Sequence, residues 1–452
     1  MSGCIPKKWA NDDFLLELKP RAEFASLFVD CPPNSRHSSN ELVKVVEWGI
    51  EVGGGDDGRQ DLRAVTSKTA RFSDVQLLPN SVCGLGWADN ERLLTCRVRA
   101  ELTETVLVSR TPAQIAREIK GKGTSLDELC QKLSDAAPAV QLLCSHCDSL
   151  ISSNGLRRFY ALPCDDWQEL CSSSMGLEYF CGGACGGRKT MEKTDHDKGA
   201  TSAVTGRGSS SGPKTDEGVV LVADSYLLAP SCSLLGVVSN TVTSALLCES
   251  CSTELGKMTS SAGSPACQLY HSKTKVSTPP SGGDEASTST ARTFSLLNER
   301  FFTLDRYFAW LLLSHCESQT SLKFVLRSFD KTSHLLLWLL DSYSVVVRGR
   351  LAPAAGDEDE NGVVEAQEQQ LPDTWHSFPV VKMLYKVFDK TSAAEDPRAN
   401  GADASVTTIE QPTGACLELT RLLLDSTHSL PPACRSVGQF YVGFLKLENR
   451  YE

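Results

Sequence analysis

The chain has 452 residues, 18 of them cysteine, and a formal charge of −11. That length supports two or three domains with a substantial core, and the acidic balance excludes a protein that grips nucleic acid by its phosphates, so other proteins are the expected partners. Cysteines in this number suit a disulfide-rich secreted fold only in a short chain behind a signal peptide. Met1–Pro20 carries Lys7 and Lys8, then Asp12, Asp13 and Glu17, with no apolar segment, and the longest apolar runs, Tyr307–Leu313 and Leu335–Leu340, are too short to span a bilayer. The expectation is a soluble intracellular protein, cytoplasmic or nuclear, with reduced thiols and no direct contact with membrane or nucleic acid.

Residues 1–140 read as an N-terminal β-rich region, with partial alternation in Asp13–Leu18, Leu42–Trp48 and Leu93–Arg99. Gly53–Gly58 lacks the Lys-Ser/Thr and helix of a phosphate loop and reads as a hairpin or loop tip. Residues 141–257 form a second region around two cysteine turns, with a polar loop inserted at 187–217. Residues 258–292 read as a linker. Residues 293–452 read as a C-terminal α+β domain with polar inserts at 352–370 and 391–412; Asp357–Glu360 marks the first as a solvated acidic loop. Within it, Thr293–Cys316 has the spacing of one amphipathic helix. Strands are expected at Leu322–Arg327, His334–Leu340, Ser344–Arg348, Val380–Val387 and Gln439–Leu447, and a short helix at Ala415–Leu424. Short strands with few helices predict an α+β fold, β-rich and mostly antiparallel.

Two segments echo each other. Gln141-Leu-Leu-Cys144-Ser-His-Cys147 and Ala245-Leu-Leu-Cys248-Glu-Ser-Cys251 each run an apolar pair into Cys-x-x-Cys. Each such turn presents two thiolates on one side, so the pair supplies four soft ligands for one tetrahedral zinc. Residues 148–247 lie between the turns, far more than the roughly 15–20 of a compact zinc ribbon, so the metal would clip two distant parts of the chain together. Unpaired thiols or a redox pair are the other reading. His146 reads as a turn residue. No serine–histidine–aspartate set, carboxylate pair or dinucleotide loop stands at a recognisable spacing, which leaves the chemistry to cysteine.

Two more cysteine features stand out. After Trp167 come Cys171, Cys181 and Cys185, the last two flanked by glycines that let the backbone protrude. They read either as incidental cysteines of a flexible loop or as thiolates for a metal or partner. Cys416, in Gln411-Pro-Thr-Gly-Ala-Cys416-Leu-Glu-Leu419, stands at a helix start, where the dipole favours a nucleophilic thiolate. A buried cysteine on an apolar helix face accounts for the same residues.

Taken together, these blocks resemble the HECT-like, ubiquitin-conjugating-enzyme-binding family of ubiquitin ligases. The resemblance rests on Cys144-x-x-Cys147, Cys248-x-x-Cys251-x-x-x-Leu255-Gly256, Leu162–Trp167, Ala223–Leu228, Leu336–Leu340, Val381–Tyr385, Cys416–Leu419 and Phe440–Leu447, in family order from about residue 72 to 447. It implies that Cys416 accepts ubiquitin from a ubiquitin-conjugating enzyme and passes it to protein substrates. Pro412–Cys416 is similar to the Leu-Pro-x-x-x-Thr-Cys stretch of HECT ligases, but Gln411 and Ala415 replace its Leu and Thr, and the spacing is shorter. A conjugating-enzyme contact maps approximately onto Thr293–Cys316, with Phe301 and Phe308 as docking residues; packing of that face into the chain's own core explains the same spacing equally well. The resemblance also implies binding and inhibition of the zinc-dependent endonuclease of pre-mRNA cleavage and polyadenylation. In that reading Trp167 opens the inserting segment, and Cys181, or else Cys185, ligates a zinc of the nuclease. The implied cofactor of the chain itself is one structural zinc on Cys144, Cys147, Cys248 and Cys251.

Overall fold

The computed structural model describes residues 12–20, 22, 24–30, 43–53, 68–88, 93–103, 108–137, 140–153, 156–167, 218–261, 264–278, 292–353 and 374–448. The chain divides into two units. The first takes Met1–Lys122, Thr303–Gln411 and Cys416–Glu452; the second takes Gly123–Phe302 and Pro412–Ala415. The expected β-rich, mostly antiparallel α+β character is what both units show. The expected insert at 187–217, the one at 352–370 beyond its first two residues, and the glycine run from Gly54 on lie outside the described residues; Ala352–Pro353 is a short strand.

In the first unit, the central strand Phe14–Leu18 is buried at all five positions, as a strand covered on both faces must be. Phe14 and Leu16 point into one core with Leu27, Ile50, Leu77 and Val347. Leu15 points into another with Val346, Val380 and Phe444. Glu17 shares the Leu15 side by alternation, and its buried carboxylate is neutralised by Lys382, whose Nζ donates to both oxygens at 2.8 Å. Among the described residues the sheet around this strand has ten strands. Their order is Ser436–Val437, Phe440–Lys446, Phe378–Val387, Ser333–Gly349, Phe14–Leu18, Ala25–Asp30, Leu93–Leu102 and Val75–Ala88, with Lys323–Arg327 against Ser333–Trp338 and Thr407–Glu410 parallel to Lys323–Arg327. The two strands expected at His334–Leu340 and Ser344–Arg348 are one, Ser333–Gly349, with register shifts at Leu339/Asp341 and Asp341/Ser344 that let it change neighbours. A four-stranded sheet of Ala352–Pro353, Lys68–Arg71, Gly49–Val52 and Val43–Val46 covers the Phe14 side.

Several expectations are corrected here. The polar insert at 391–412 is ordered: Asp389 and Ser392 form a capping box on helix Lys390–Glu395, followed by helix Pro397–Asn400 and strand Thr407–Glu410. The single helix over Thr293–Cys316 is a strand Arg292–Phe294, a helix Leu296–Phe301 and a helix Leu304–Gln319. Phe302 breaks it with a left-handed φ of 62°, and Thr303 caps the next helix by accepting the Arg306 N–H at 3.3 Å. Arg306–Leu313 are all buried, so over that stretch the helix is interior on every side and its apolar spacing is not a free stripe, while Glu317–Gln319 at its end are exposed. The mostly strand-like region 1–140 also contains helices Pro112–Lys122 and Leu126–Ala136; the second is capped by Ser125, which accepts the Glu128 N–H at 3.2 Å.

Among the described residues the second unit contains a seven-stranded sheet, ordered Val237–Ser239, Ala245–Cys248, Glu254–Ser261, Ser264–Tyr270, Tyr226–Pro230, Val219–Val222 and Arg158–Ala161, of which only the last pair is parallel. A three-stranded sheet joins Arg292–Phe294, Thr274–Thr278 and Gln141–Cys144. The expected linker at 258–292 therefore carries strands through Thr278; its Ser/Thr-rich composition hides Cys267, Leu269 and Val276, which enter the core. Leu255 is buried, and Gly256 lies so close to its neighbour strand that a β-carbon would sit 1.7 Å from the Gln268 carbonyl oxygen. Leu162–Trp167 and Ala223–Leu228 meet in one polar knot. Asp165 Oδ1 accepts the N–H groups of Asp224 and Ser225 at 2.8 and 3.3 Å, and the Tyr226 hydroxyl donates to the Asp165 carbonyl at 2.7 Å. Burial, then the charge of Asp224, push the Asp165 carboxyl up to about 7. Arg300 pairs with Asp224, both side chains 3% exposed, and donates to the Thr124 carbonyl at 2.6 Å.

Removing one member of that ion pair strands a buried charge. Asp224→Ala is expected to cost about 3–5 kcal/mol, read as a lower denaturation midpoint and as lost amide protection in the second unit. Unchanged protection there would refute the importance given to the knot.

Candidate metal centre

The strands Gln141–Cys144 and Ala245–Cys248 each run into the same turn. In the first, the Cys144 carbonyl accepts the Asp148 N–H at 3.0 Å and the Cys144 N–H donates to the Ser149 carbonyl at 2.9 Å. In the second, the Cys248 carbonyl accepts the Ser252 N–H at 2.8 Å and the Cys248 N–H donates to the Thr253 carbonyl at 2.9 Å. Asp148 and Ser252, the residues just after each second cysteine, have left-handed φ values of 56° and 59°. The sequence echo is thus a structural repeat.

The four sulfurs of Cys144, Cys147, Cys248 and Cys251 lie within 4.8 Å of one another. Cys144 Sγ is 3.7 Å from Cys251 Sγ, and Cys147 Sγ is 3.7 Å from Cys248 Sγ. A tetrahedron with Zn–S bonds of ~2.3 Å has edges of about 3.8 Å, whereas a disulfide needs about 2.05 Å. The donor set and its spacing therefore fit one tetrahedral metal ion. All four cysteines belong to the second unit and tie its two sheets, so the clip closes within that unit.

The surroundings tune the thiols. Burial pushes Cys144 up to about 12, against the pull of the Cys147 and His146 N–H groups. Cys147, the exposed member, is drawn down to about 6 by the hydroxyl and N–H of Ser149. Burial opposes ionisation of Cys248, but the Ser149 hydroxyl and the N–H groups of Cys251 and Ser250 outweigh it and the net direction is down. Ser149 Oγ bridges the turns, 3.0 Å from Cys147 Sγ and 3.1 Å from Cys248 Sγ; Thr253 Oγ1 lies 3.2 Å from Cys251 Sγ. These hydroxyls orient the ligands. They escaped the sequence reading, although both repeats carry a hydroxyl residue two places after the second cysteine.

The other predicted site residues lie elsewhere. Cys416 is fully buried on helix Thr413–His428; its Sγ lies 3.7 Å from the Gln411 carbonyl oxygen, and Ala415 and Leu419 beside it are buried too. It stands in the first helical turn, as expected of a dipole-assisted thiolate, but its sulfur is closed to solvent. Phe301, in the second unit, and Phe308, in the first, are 0% exposed, so neither forms the docking face assigned to it. Trp167 is 3% exposed: it anchors the fold instead of presenting a contact. Cys181 and Cys185 lie outside the described residues. No disulfide joins any pair among the described cysteines, and no described helix is long and apolar enough to cross a membrane.

Cys248→Ser is expected to abolish stoichiometric metal binding, measured by elemental analysis and by the thiolate-to-metal absorption of a cobalt-loaded chain. Because ligation displaces the Cys144 proton throughout the neutral range, apparent affinity is expected to weaken as pH falls, and more steeply below about 6, where Cys147 takes up its proton as well. Ser149→Ala is expected to retain the metal with roughly ten- to a hundredfold weaker affinity.

Comparison with known proteins gives the cluster its context. Residues 17–442 match the family described as HECT-like ubiquitin-conjugating enzyme (E2)-binding. Among curated proteins, the chain is similar to an E3 ubiquitin-protein ligase of Bos taurus, 31% identical over 131 residues, which are 29% of this chain and 32% of the relative. It is 26% identical over 159 residues to the ligase of the same name from Homo sapiens, covering 35% and 40% of the two chains. The Rattus norvegicus protein of that name aligns over 368 residues at 23% identity, 81% of each chain. The match thus spans only about a third of the bovine relative and two-fifths of the human one. No solved structure matches the chain. With a family match running nearly from end to end, the chain belongs to the HECT-like, ubiquitin-conjugating-enzyme-binding family.

Proposed function

We propose that this protein binds a ubiquitin-conjugating enzyme loaded with ubiquitin, inside the cell, and promotes transfer of the ubiquitin to lysines of protein substrates. The observation that carries this reading is the family match over residues 17–442, together with relatives named as ubiquitin-protein ligases. The cysteine cluster holds zinc in this reading, because four sulfurs at tetrahedral spacing suit that metal. A closed four-thiolate site leaves no open position for substrate, so the zinc supplies rigidity and no reactive group.

Cys416 is the proposed ubiquitin acceptor. Its thiolate would attack the carbonyl of the conjugating enzyme's thioester, releasing that enzyme's thiolate, and a substrate lysine would then take the acyl group. Because Cys416 is fully buried, this relay requires the first turn of its helix to open. With the turn closed, the chain acts by holding the loaded conjugating enzyme against the substrate. A second reading, as an inhibitor or chaperone of the zinc-dependent pre-mRNA 3′-end-processing endonuclease, is favoured by the firm base of the segment bearing Cys181 and Cys185. Trp167 is buried at one end, and the Gly218 carbonyl at the other accepts the N–H groups of Arg157 and Arg158 at 2.7 and 3.2 Å.

The deciding experiment is discharge of a ubiquitin-loaded conjugating enzyme by wild type, Cys416→Ser and Cys181→Ser. The expected result is accelerated discharge with a reducible ubiquitin adduct lost only in Cys416→Ser. Discharge without an adduct would reject Cys416 as acceptor and keep the scaffold role; no discharge by any form would leave nuclease binding as the leading account.

A further inference from the structure

Two residues beside the cysteine turns reach the segment that leads into Cys416. Glu254 stands just past the second turn, and its Oε2 accepts the Thr413 N–H at 2.6 Å. Lys273 is tied to the first turn: its carbonyl accepts the Ser145 N–H at 3.1 Å, and the next residue, Thr274, pairs in register with Cys144. The Lys273 side chain, 6% exposed, lies across Gly414, where a β-carbon would sit 2.9 Å from its Nζ and 3.1 Å from its Cε. Each cysteine turn therefore sends one neighbour to Pro412–Ala415, four residues that belong to the same unit as the cluster. Cys416 is the next residue, and its thiol is fully buried.

We propose that Glu254 and Lys273 are a latch through which the metal-loaded cysteine cluster holds the first turn of the Cys416 helix shut and keeps that thiol closed to solvent while no conjugating enzyme is docked. The first N–H groups of a helix have no partner within it, and Thr413 finds one in a carboxylate, a charge-assisted bond. The absence of a side chain at Gly414 admits the Lys273 stem over the same turn. Both contacts depend on where the cysteine turns place Glu254 and Lys273. When the metal leaves, four sulfurs no longer bind the turns together, the two residues lose their fixed positions, and the helix frays from its start. The latch concerns access to the Cys416 thiol and holds whether or not that thiol accepts ubiquitin; it rests on the cluster being metal-loaded.

The test uses the full chain with its metal content measured, a small maleimide, and mass spectrometry to locate the label. In the loaded protein Cys416 is expected to stay unmodified. Glu254→Ala, with the metal retained, is expected to raise its labelling rate about ten- to a hundredfold, the loss of one charge-assisted hydrogen bond from a local opening equilibrium. Glu254→Gln, which keeps an acceptor, restores most of the protection. Chelation is expected to expose Cys416 while Cys96, buried in the first unit, remains unlabelled. Should Glu254→Ala fail to fold, Lys273→Ala takes its place with the same expected rise. Metal present but labelling unchanged by chelation or by the variant overturns the latch alone. Joint labelling of Cys416 and Cys96 means global unfolding and overturns it too. A chain that purifies without stoichiometric metal overturns the zinc assignment and the latch together.

Discussion

Four cysteine sulfurs crowded within 4.8 Å of one another are unfavourable whatever their protonation. As thiolates they repel, and as thiols Cys144 and Cys248 still crowd the other sulfurs in a buried site. A metal ion resolves both problems, and the second unit is arranged to receive one. The turns that carry the sulfurs end strands of two different sheets, so a metal held there would link the two sheets through coordinate bonds. The N–H groups aimed at Cys144 and Cys248, and the hydroxyl of Ser149 between the turns, hold the donors ready for it.

The same unit shows why the family's sequence blocks travel together. Leu162–Trp167 and Ala223–Leu228 are far apart in sequence, yet Asp165 of one block satisfies two backbone N–H groups of the other. Trp338 pairs with Leu384, and Leu384 with Val442, so three of the blocks in the first unit are successive strands of one sheet. These residues resemble a functional signature on paper, and their contacts are architectural.

How far the sequence foretold this varies with the range of the interaction. The cysteine turns were legible because each is specified by a handful of adjacent residues, and the echo between them survives any separation. The central strands were legible as apolar runs. Helices Pro112–Lys122 and Leu126–Ala136 carried their own signals, a proline at the first position and Ser125 three residues before Glu128, which the strand-like surroundings masked. The strands of 258–278 were hidden by their serines and threonines, two of which, Thr274 and Ser277, are themselves buried. Whether the apolar sides of Phe301, Phe308 and Cys416 faced a partner or the interior was not decidable from periodicity, since both leave the same spacing. Their complete burial answers that through contacts many residues away.

The order of the chain through its two units has a consequence for synthesis. Strand Phe14–Leu18 is made before the second unit, but its partner Val345–Gly349 is made only after nearly all of that unit, Gly123–Phe302, has been translated. On the ribosome the inserted unit can therefore complete its fold while the apolar N-terminal strands wait, paired with their hairpin neighbours. Through that interval strand Phe14–Leu18 has one edge still unpaired, the kind of edge on which chains aggregate.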